Sequence, residues 1–265
     1  MTVTASPSPT STATSSHARV APDRSSAIAG PSCTPRSHAE AAEWCGAVRG
    51  VVVQKWHVIV PVKRAAAGKS RFAPDVAPDL REQLARAFAL DTVSAAAEAT
   101  LVEAVHVVSD EFALSDARVR VLGGAPDGLN PALAYGLAVV REQHPDSPVA
   151  VLLGDLPALR GDDLDAVLTA AHRHPLAFVR DADGEGTTTL AVQPGVDYVP
   201  VFGGPSAAAH LAAGAVDISG DAPPRARRDV DGVDALRDAA MLGLSISTNR
   251  LASALVPLSH ERIEP

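Results

Sequence analysis

The sequence predicts an α/β sandwich built on a mostly parallel sheet, and three observations predict it. Apolar stretches of strand length alternate with stretches of helical period, joined by short connections. The run at 149–153 (Val-Ala-Val-Leu-Leu) is continuously apolar, as a central strand covered on both faces must be. The glycine-rich and charged motifs fall where strands end, which is where ligands bind in sheets of this kind.

Each element follows from its local pattern. The first strand is expected at 57–62, with residues 50–54 opening the fold. Residues 78–99 carry Leu80, Leu84, Phe88 and Val93 near helical spacing, with Asp79 as the N-cap. Strands are expected at 105–109 and 119–122. Residues 130–143 read as a helix with Pro131 at its first position. After the central strand come a helix at 162–174 and strands at 177–179 and 188–192. Residues 206–213 form a short helix capped by Ser206 and ended by Gly214. Helices at 233–242 and 248–255 complete the chain.

Composition narrows the class. Residues 1–50 are dominated by Ser, Thr, Ala and Pro and have too few large apolar residues to offset chain entropy, so a disordered leader is expected there and a folded domain over 51–265. Aromatic residues make up only 3%, so Ala, Val and Leu must fill the core. A net charge of −8 argues against nucleic acid as a partner. No apolar run reaches the length of a membrane span, and the N-terminus lacks a basic and then apolar secretion signal. The expectation is a cytoplasmic protein. Cys33 and Cys45, both in the leader, read as free thiols rather than a disulfide framework.

Five constellations carry chemistry. The strand at 57–62 breaks into a loop with Lys63, Arg64, Lys69 and Arg71. Gly68-Lys69-Ser70 looks like the end of a P-loop, but Lys63 stands where that motif needs glycine. Four clustered cations still suit a polyphosphate, a solvated basic loop being the plainer alternative. Gly123 to Ala132 is a glycine-rich strand–helix junction in which Gly128 lets backbone approach a ligand and Asn130 either caps the helix or meets a nucleoside. Asp155 ends the apolar strand in Gly-Asp-Leu-Pro. A carboxylate there is costly without a partner, and Mg²⁺ is a fitting one.

Asp229 and Asp231, two apart in Arg-Asp-Val-Asp, face the same side of an extended segment and could complete a metal site with Asp155, a charged turn before a helix being the plainer alternative. Asp181-Ala182-Asp183 has the same spacing but adjoins no phosphate-like loop, and it reads as a polar turn. The fifth constellation pairs 186–189 (Gly-Thr-Thr-Thr) with 202–206 (Phe-Gly-Gly-Pro-Ser), whose hydroxyls, glycine N–H groups and helix start suit a small anion. His57, His106 and His210 lack metal-ligand spacing and read as structural.

In order, the motifs are V-P-V-K, K-S-R, G-L-N, G-D-L-P, G-T-T, F-G-x-x-S and R-D-V-D. This series resembles the guanylyltransferases of deazaflavin coenzyme F-420 biosynthesis, over residues 56–255. The resemblance implies a three-layer nucleotidyltransferase fold of the glycosyltransferase-A type. It implies that GMP passes from GTP to phosphoenolpyruvate or 2-phospholactate with release of pyrophosphate. Lys63, Lys69 and Arg71 would hold the GTP phosphates, with Gly128 and Asn130 near the nucleoside. Asp155, Asp229 and Asp231 would bind Mg²⁺, so that Lys69, Arg71 and Asp155 carry catalysis. Thr188, Gly203 and Ser206 would hold the three-carbon acid. The Gly204-Pro205 pair departs from the family pattern and leaves the register at Ser206 open, as the run of threonines does at Thr188. High Ala and a preference for Arg over Lys match the actinobacterial members and favour phosphoenolpyruvate. Guanylyl or cytidylyl transfer to another small phosphorylated acceptor, and a non-catalytic nucleotide-binding protein, are the rival readings. The oligomeric state is open, a homodimer included.

Overall fold

The structure, a computed structural model, describes residues 54–62, 72, 76–114 and 116–253. The leader, with Cys33 and Cys45, and the cationic loop, with Lys63, Lys69 and Arg71, lie outside the described residues.

Seven strands form one sheet: β1 (Trp56–Pro61), β2 (Val102–Val108), β3 (Val119–Leu122), β4 (Val149–Leu152), β5 (Leu176–Arg180), β6 (Thr187–Val192) and β7 (Val216–Asp217). Their order across the sheet is β3-β2-β1-β4-β6-β5-β7. Pairings are parallel between β1 and β2, β1 and β4, β2 and β3, and β5 and β7. β6 runs antiparallel to both its neighbours, β4 and β5. β1 and β4 are buried along their whole length, which explains why neither shows alternation in sequence.

The helices are α1 (Pro78–Glu98), α2 (Leu129–Gln143), α3 (Gly161–Ala171), α4 (Ser206–Ala212), α5 (Val233–Leu242) and α6 (Ile246–Ala252). On one face, Val93 of α1 and Leu164 and Leu168 of α3 pack with Val58, Val60 and Leu152 of the sheet. On the other, Leu133 and Leu137 of α2 and Ala207 of α4 pack with Ile59, Val151 and Phe178. The result is three layers. A separate apolar cluster joins Phe88 of α1 to Leu236 of α5 and Ala252 of α6. Among the described residues no helix is long and apolar enough to cross a membrane.

Several local expectations shift. Ala77, not Asp79, is the N-cap of α1, because Pro78 occupies the first turn that its fixed φ favours; Asp79 then sits where the helix dipole welcomes a carboxylate. α2 begins one residue early, capped by Gly128 at φ 102°, so Pro131 is its third residue and still loses no helical hydrogen bond. Pro205 precedes α4 as its N-cap and Ser206 is the first helical residue; Gly214, at φ 85°, ends that helix as expected. β2 starts three residues before the expected point. Asp165 of α3 accepts the N–H groups of Thr100 and Leu101 at 2.9 and 2.8 Å, a long-range contact that fixes the strand's entry. β7 and a 3₁₀ turn at Pro224–Ala226 have no sequence signal strong enough to predict them.

Candidate active site

β4 leaves the core at Leu152 and the chain turns through Gly154 into Asp155. A Cβ at Gly154 would lie 3.1 Å from the Pro61 carbonyl oxygen and 3.3 Å from Val60 Cγ1. Glycine therefore lets the ends of β1 and β4 approach closely, and Asp155 emerges beside the strand that leads into the cationic loop.

The segment carrying the other two aspartates is anchored from several sides. Arg225 grips the buried Asp163 carboxylate of α3 through two hydrogen bonds of 2.8 and 3.2 Å. The Thr188 hydroxyl donates to the Ala226 carbonyl at 2.8 Å. Arg227 donates to the carbonyls of Arg180 and Asp181 at 3.2 and 2.9 Å. Finally the Val230 N–H donates to the Asp155 carbonyl at 3.0 Å, tying this segment to the end of β4. The outcome is that one carboxylate oxygen from each of Asp155, Asp229 and Asp231 lies within 4.8 Å of the others, in a half-buried cluster. Three carboxylates this close repel one another, and a divalent cation with a preference for hard oxygen donors relieves that repulsion. The donor set fits Mg²⁺ or Mn²⁺.

On one side of the cluster lies the hairpin between β5 and β6. Asp181 accepts the N–H groups of Gly184, Glu185 and Gly186 at 2.6, 3.0 and 2.7 Å, so this carboxylate shapes the turn. A Cβ at Gly186 would come within 2.3 Å of the Asp181 carboxylate. Asp183 lies 3.6 Å from Arg228. The Asp-Ala-Asp motif is thus a structural turn, and Asp155, Asp229 and Asp231 are the aspartates that converge. Where β6 begins, Val179 faces Thr189 and Arg180 faces Thr187, which leaves Thr188 as the extra residue of a bulge. Thr188 is fully buried and gives its hydroxyl to Ala226, while Thr187 shares a 2.9 Å hydrogen bond with His210 of α4.

The loop before α4 completes this side. Gly203 sits at φ 95° with open space around the position of a Cβ, and Gly204 follows at φ 55°. Ser206 is buried at the start of α4, and the Ala207 N–H donates to the Glu185 carbonyl at 3.1 Å. The helix start, the hairpin and the bulged strand therefore form one continuous wall.

On the other side a cleft of about 330 Å³ opens between the ends of β1 and β2 and the loop at 125–129, with Gly128 in its wall. Asn130 is not part of that wall. Its side-chain amide donates to the Phe202 carbonyl at 2.9 Å and accepts the Phe202 N–H at 2.7 Å, linking the Gly-Leu-Asn motif to the Phe-Gly-Gly loop. Lys63, Lys69 and Arg71 follow from the end of β1 and lie outside the described residues. Asp163 and Arg225 carry no sequence signal for this role, whereas Arg227 belongs to the arginine pair beside Asp229.

His57, His106 and His210 are buried. His57 and His106 meet at 3.0 Å and His57 stacks on His144. Burial, reinforced by the neighbouring imidazoles, pushes His57 and His106 down to about 4, and burial does the same to His210. At neutral pH all three are uncharged packing groups.

Comparison with known proteins shows the fold and the family. The crystal structure of a Desulfovibrio desulfuricans protein described as a nucleotide-diphospho-sugar transferase superposes with a TM-score of 0.56 at 15% identity, covering 76% of this chain and 96% of that one. This likeness shows the α/β nucleotidyltransferase fold. The phosphoenolpyruvate guanylyltransferase of Streptomyces coelicolor is 45% identical over 208 residues, which are 76% of this chain and 98% of that protein. Its counterpart from Thermomonospora curvata is 43% identical over 209 residues, 77% and 91% of the two chains. The family described as guanylyl transferase CofC like matches residues 56–213, from β1 to the end of α4, and the chain belongs to that family of nucleotidyltransferases.

Proposed function

We propose that this guanylyltransferase transfers GMP from GTP to phosphoenolpyruvate, as a step of coenzyme F-420 biosynthesis. The observation that carries the reading is the convergence of Asp155, Asp229 and Asp231 beside the end of β1, where Pro61 and Val62 line a cleft of about 330 Å³. The names of the relatives, phosphoenolpyruvate guanylyltransferases at 41–45% identity, support the acceptor.

A phosphate oxygen of the acceptor attacks the α-phosphorus of GTP in line. The new P–O bond forms as the α–β anhydride breaks, and pyrophosphate leaves. Mg²⁺, when bound by the three aspartates, neutralises charge between two anions that otherwise repel. Gly128 lets backbone approach the nucleoside. Lys63, Lys69 and Arg71 bind the GTP phosphates, and Lys69 and Arg71 stabilise the departing charge. Gly203 and Ser206 hold the acid. Thr188, with its hydroxyl engaged by Ala226, contributes by keeping the hairpin and the Asp229 segment in register. No general base is needed, because a phosphate monoester is already ionised near neutral pH. This matches a site whose nearby imidazole, His210, is buried and neutral. We place the activity in residues 51–265, in the cytoplasm, with the leader dispensable.

The test is pyrophosphate release from GTP and Mg²⁺ with phosphoenolpyruvate, 2-phospholactate or no acceptor. Release that requires phosphoenolpyruvate is the expected result. Dependence on 2-phospholactate alone would change the acceptor, and silence with both acids would remove the proposal.

A further inference from the structure

The Asp155–Leu156 peptide group is held at both of its edges. Its carbonyl oxygen, from Asp155, accepts the Val230 N–H at 3.0 Å. Its N–H, from Leu156, donates to the hydroxyl oxygen of Thr92 at 3.0 Å. Thr92 lies in α1, has no exposed surface, and spends its own proton on the Phe88 carbonyl one turn back at 2.8 Å. That bond fixes the hydroxyl rotor and leaves its lone pair aimed at Leu156. The orientation of this one peptide plane sets where the Asp155 side chain leaves the chain. Its other edge is bonded to the residue between Asp229 and Asp231.

We infer that Thr92 is a positioning residue for the three-aspartate cluster, acting through the Asp155–Leu156 peptide and touching no substrate. The inference rests on the reading of that cluster as the site of a divalent cation. A Thr92→Val side chain keeps the shape but leaves the Leu156 N–H buried without its acceptor, so the peptide tilts to find another. A tilt moves Asp155 relative to Asp229 and Asp231. Partners of this indirect kind change metal affinity by roughly 10–100-fold. An ordinary packing role for Thr92 would lower the melting temperature and leave metal affinity in the folded fraction where it was.

The experiment is Mn²⁺ binding to the full chain, read by the loss of the free-ion electron paramagnetic resonance signal, in wild type, Thr92→Val, Thr92→Ser and Asp155→Asn. Wild type should bind and Asp155→Asn should bind far more weakly. Thr92→Val should lose roughly tenfold in affinity, and Thr92→Ser, which restores the hydroxyl, should stay within about twofold of wild type. If Thr92→Val does not fold, Thr92→Ala replaces it with the same expectation. Equal Mn²⁺ affinity in wild type and Thr92→Val, with Asp155→Asn still impaired, would overturn the positioning role alone. No difference between wild type and Asp155→Asn would overturn the metal reading and this inference with it.

Discussion

Asn130 and Phe202 hold each other by a reciprocal pair of hydrogen bonds, side-chain amide to main chain, at 2.9 and 2.7 Å. The pair spans 72 residues of sequence and fastens the start of α2 to the loop that carries Gly203. An amide is the group that gives and takes at once. Asn130→Asp keeps the acceptor but sets a carboxylate oxygen against the Phe202 carbonyl. A stability loss of about 1–3 kcal/mol is expected, together with a raised KM for the acid and a smaller change in the KM for GTP. Thermal melts and two-substrate kinetics check it; an acid KM at the wild-type value would detach this bond from the acceptor loop.

Removal of one aspartate from the cluster separates charge balance from folding. Asp155→Ala is expected to reduce turnover by roughly two to three orders of magnitude. The metal-free melting temperature should hold or rise, since one of three neighbouring like charges is gone. Pyrophosphate release and calorimetry in chelator decide it. Near-normal turnover would defeat the metal assignment.

Gly154 gives a steric prediction. Ala at this position places a methyl 3.1 Å from the Pro61 carbonyl, and backbone must yield by a few tenths of an ångström. The two strand ends that separate are those bearing Asp155 and leading to the cationic loop. Gly154→Ala should therefore lower turnover more than it lowers the melting temperature. A variant with full activity and a depressed melting temperature would contradict this.

Acid should unfold the protein earlier than its carboxylates alone would require. His57, His106 and His210 titrate at about 4 in the folded chain, chiefly because burial disfavours their charged forms, against an ordinary value of 6.5. The unfolded chain thus takes up protons first as pH falls. The stability these groups contribute is intact above about pH 6.5 and is lost progressively toward pH 4. Melting temperatures from pH 8 to pH 4 should bend downward within that window. A flat profile down to pH 4.5 would show that the imidazoles are solvated in solution.

Much of the fold was legible because its signals are local. The apolar run at 149–153, the helical spacing of Leu84 and Phe88, and the glycine after α4 each depend on a few neighbouring residues. Asp155 stood out for the same reason, as a carboxylate ending an apolar strand. The two Asp-x-Asp motifs show the limit. Their spacing is the same, and what separates them is that Asp181 is enclosed by the N–H groups of 184–186 while Asp229 is carried to Asp155 by Arg225, Arg227 and Val230. The Thr188–Ala226 hydrogen bond was equally hidden, since the bulge at Thr188 is visible only against β5. Asn130 could be read as a cap or a ligand contact, and its partner was another motif altogether.

The antiparallel strand β6 opens a separate stretch of chain beside the site. Because that strand begins beside Asp155, both the hairpin at 181–186 and the loop at 202–206 belong to a stretch of chain that β1, α1, β2 and β3 do not share. On the proposed reading, exchanges in the hairpin at 181–186 and the loop at 203–205 would remodel the acceptor side, with the Asn130–Phe202 pair kept as the tie to the nucleotide side. A laboratory seeking a new acceptor for this enzyme has a contiguous cassette of fewer than thirty residues in which to search.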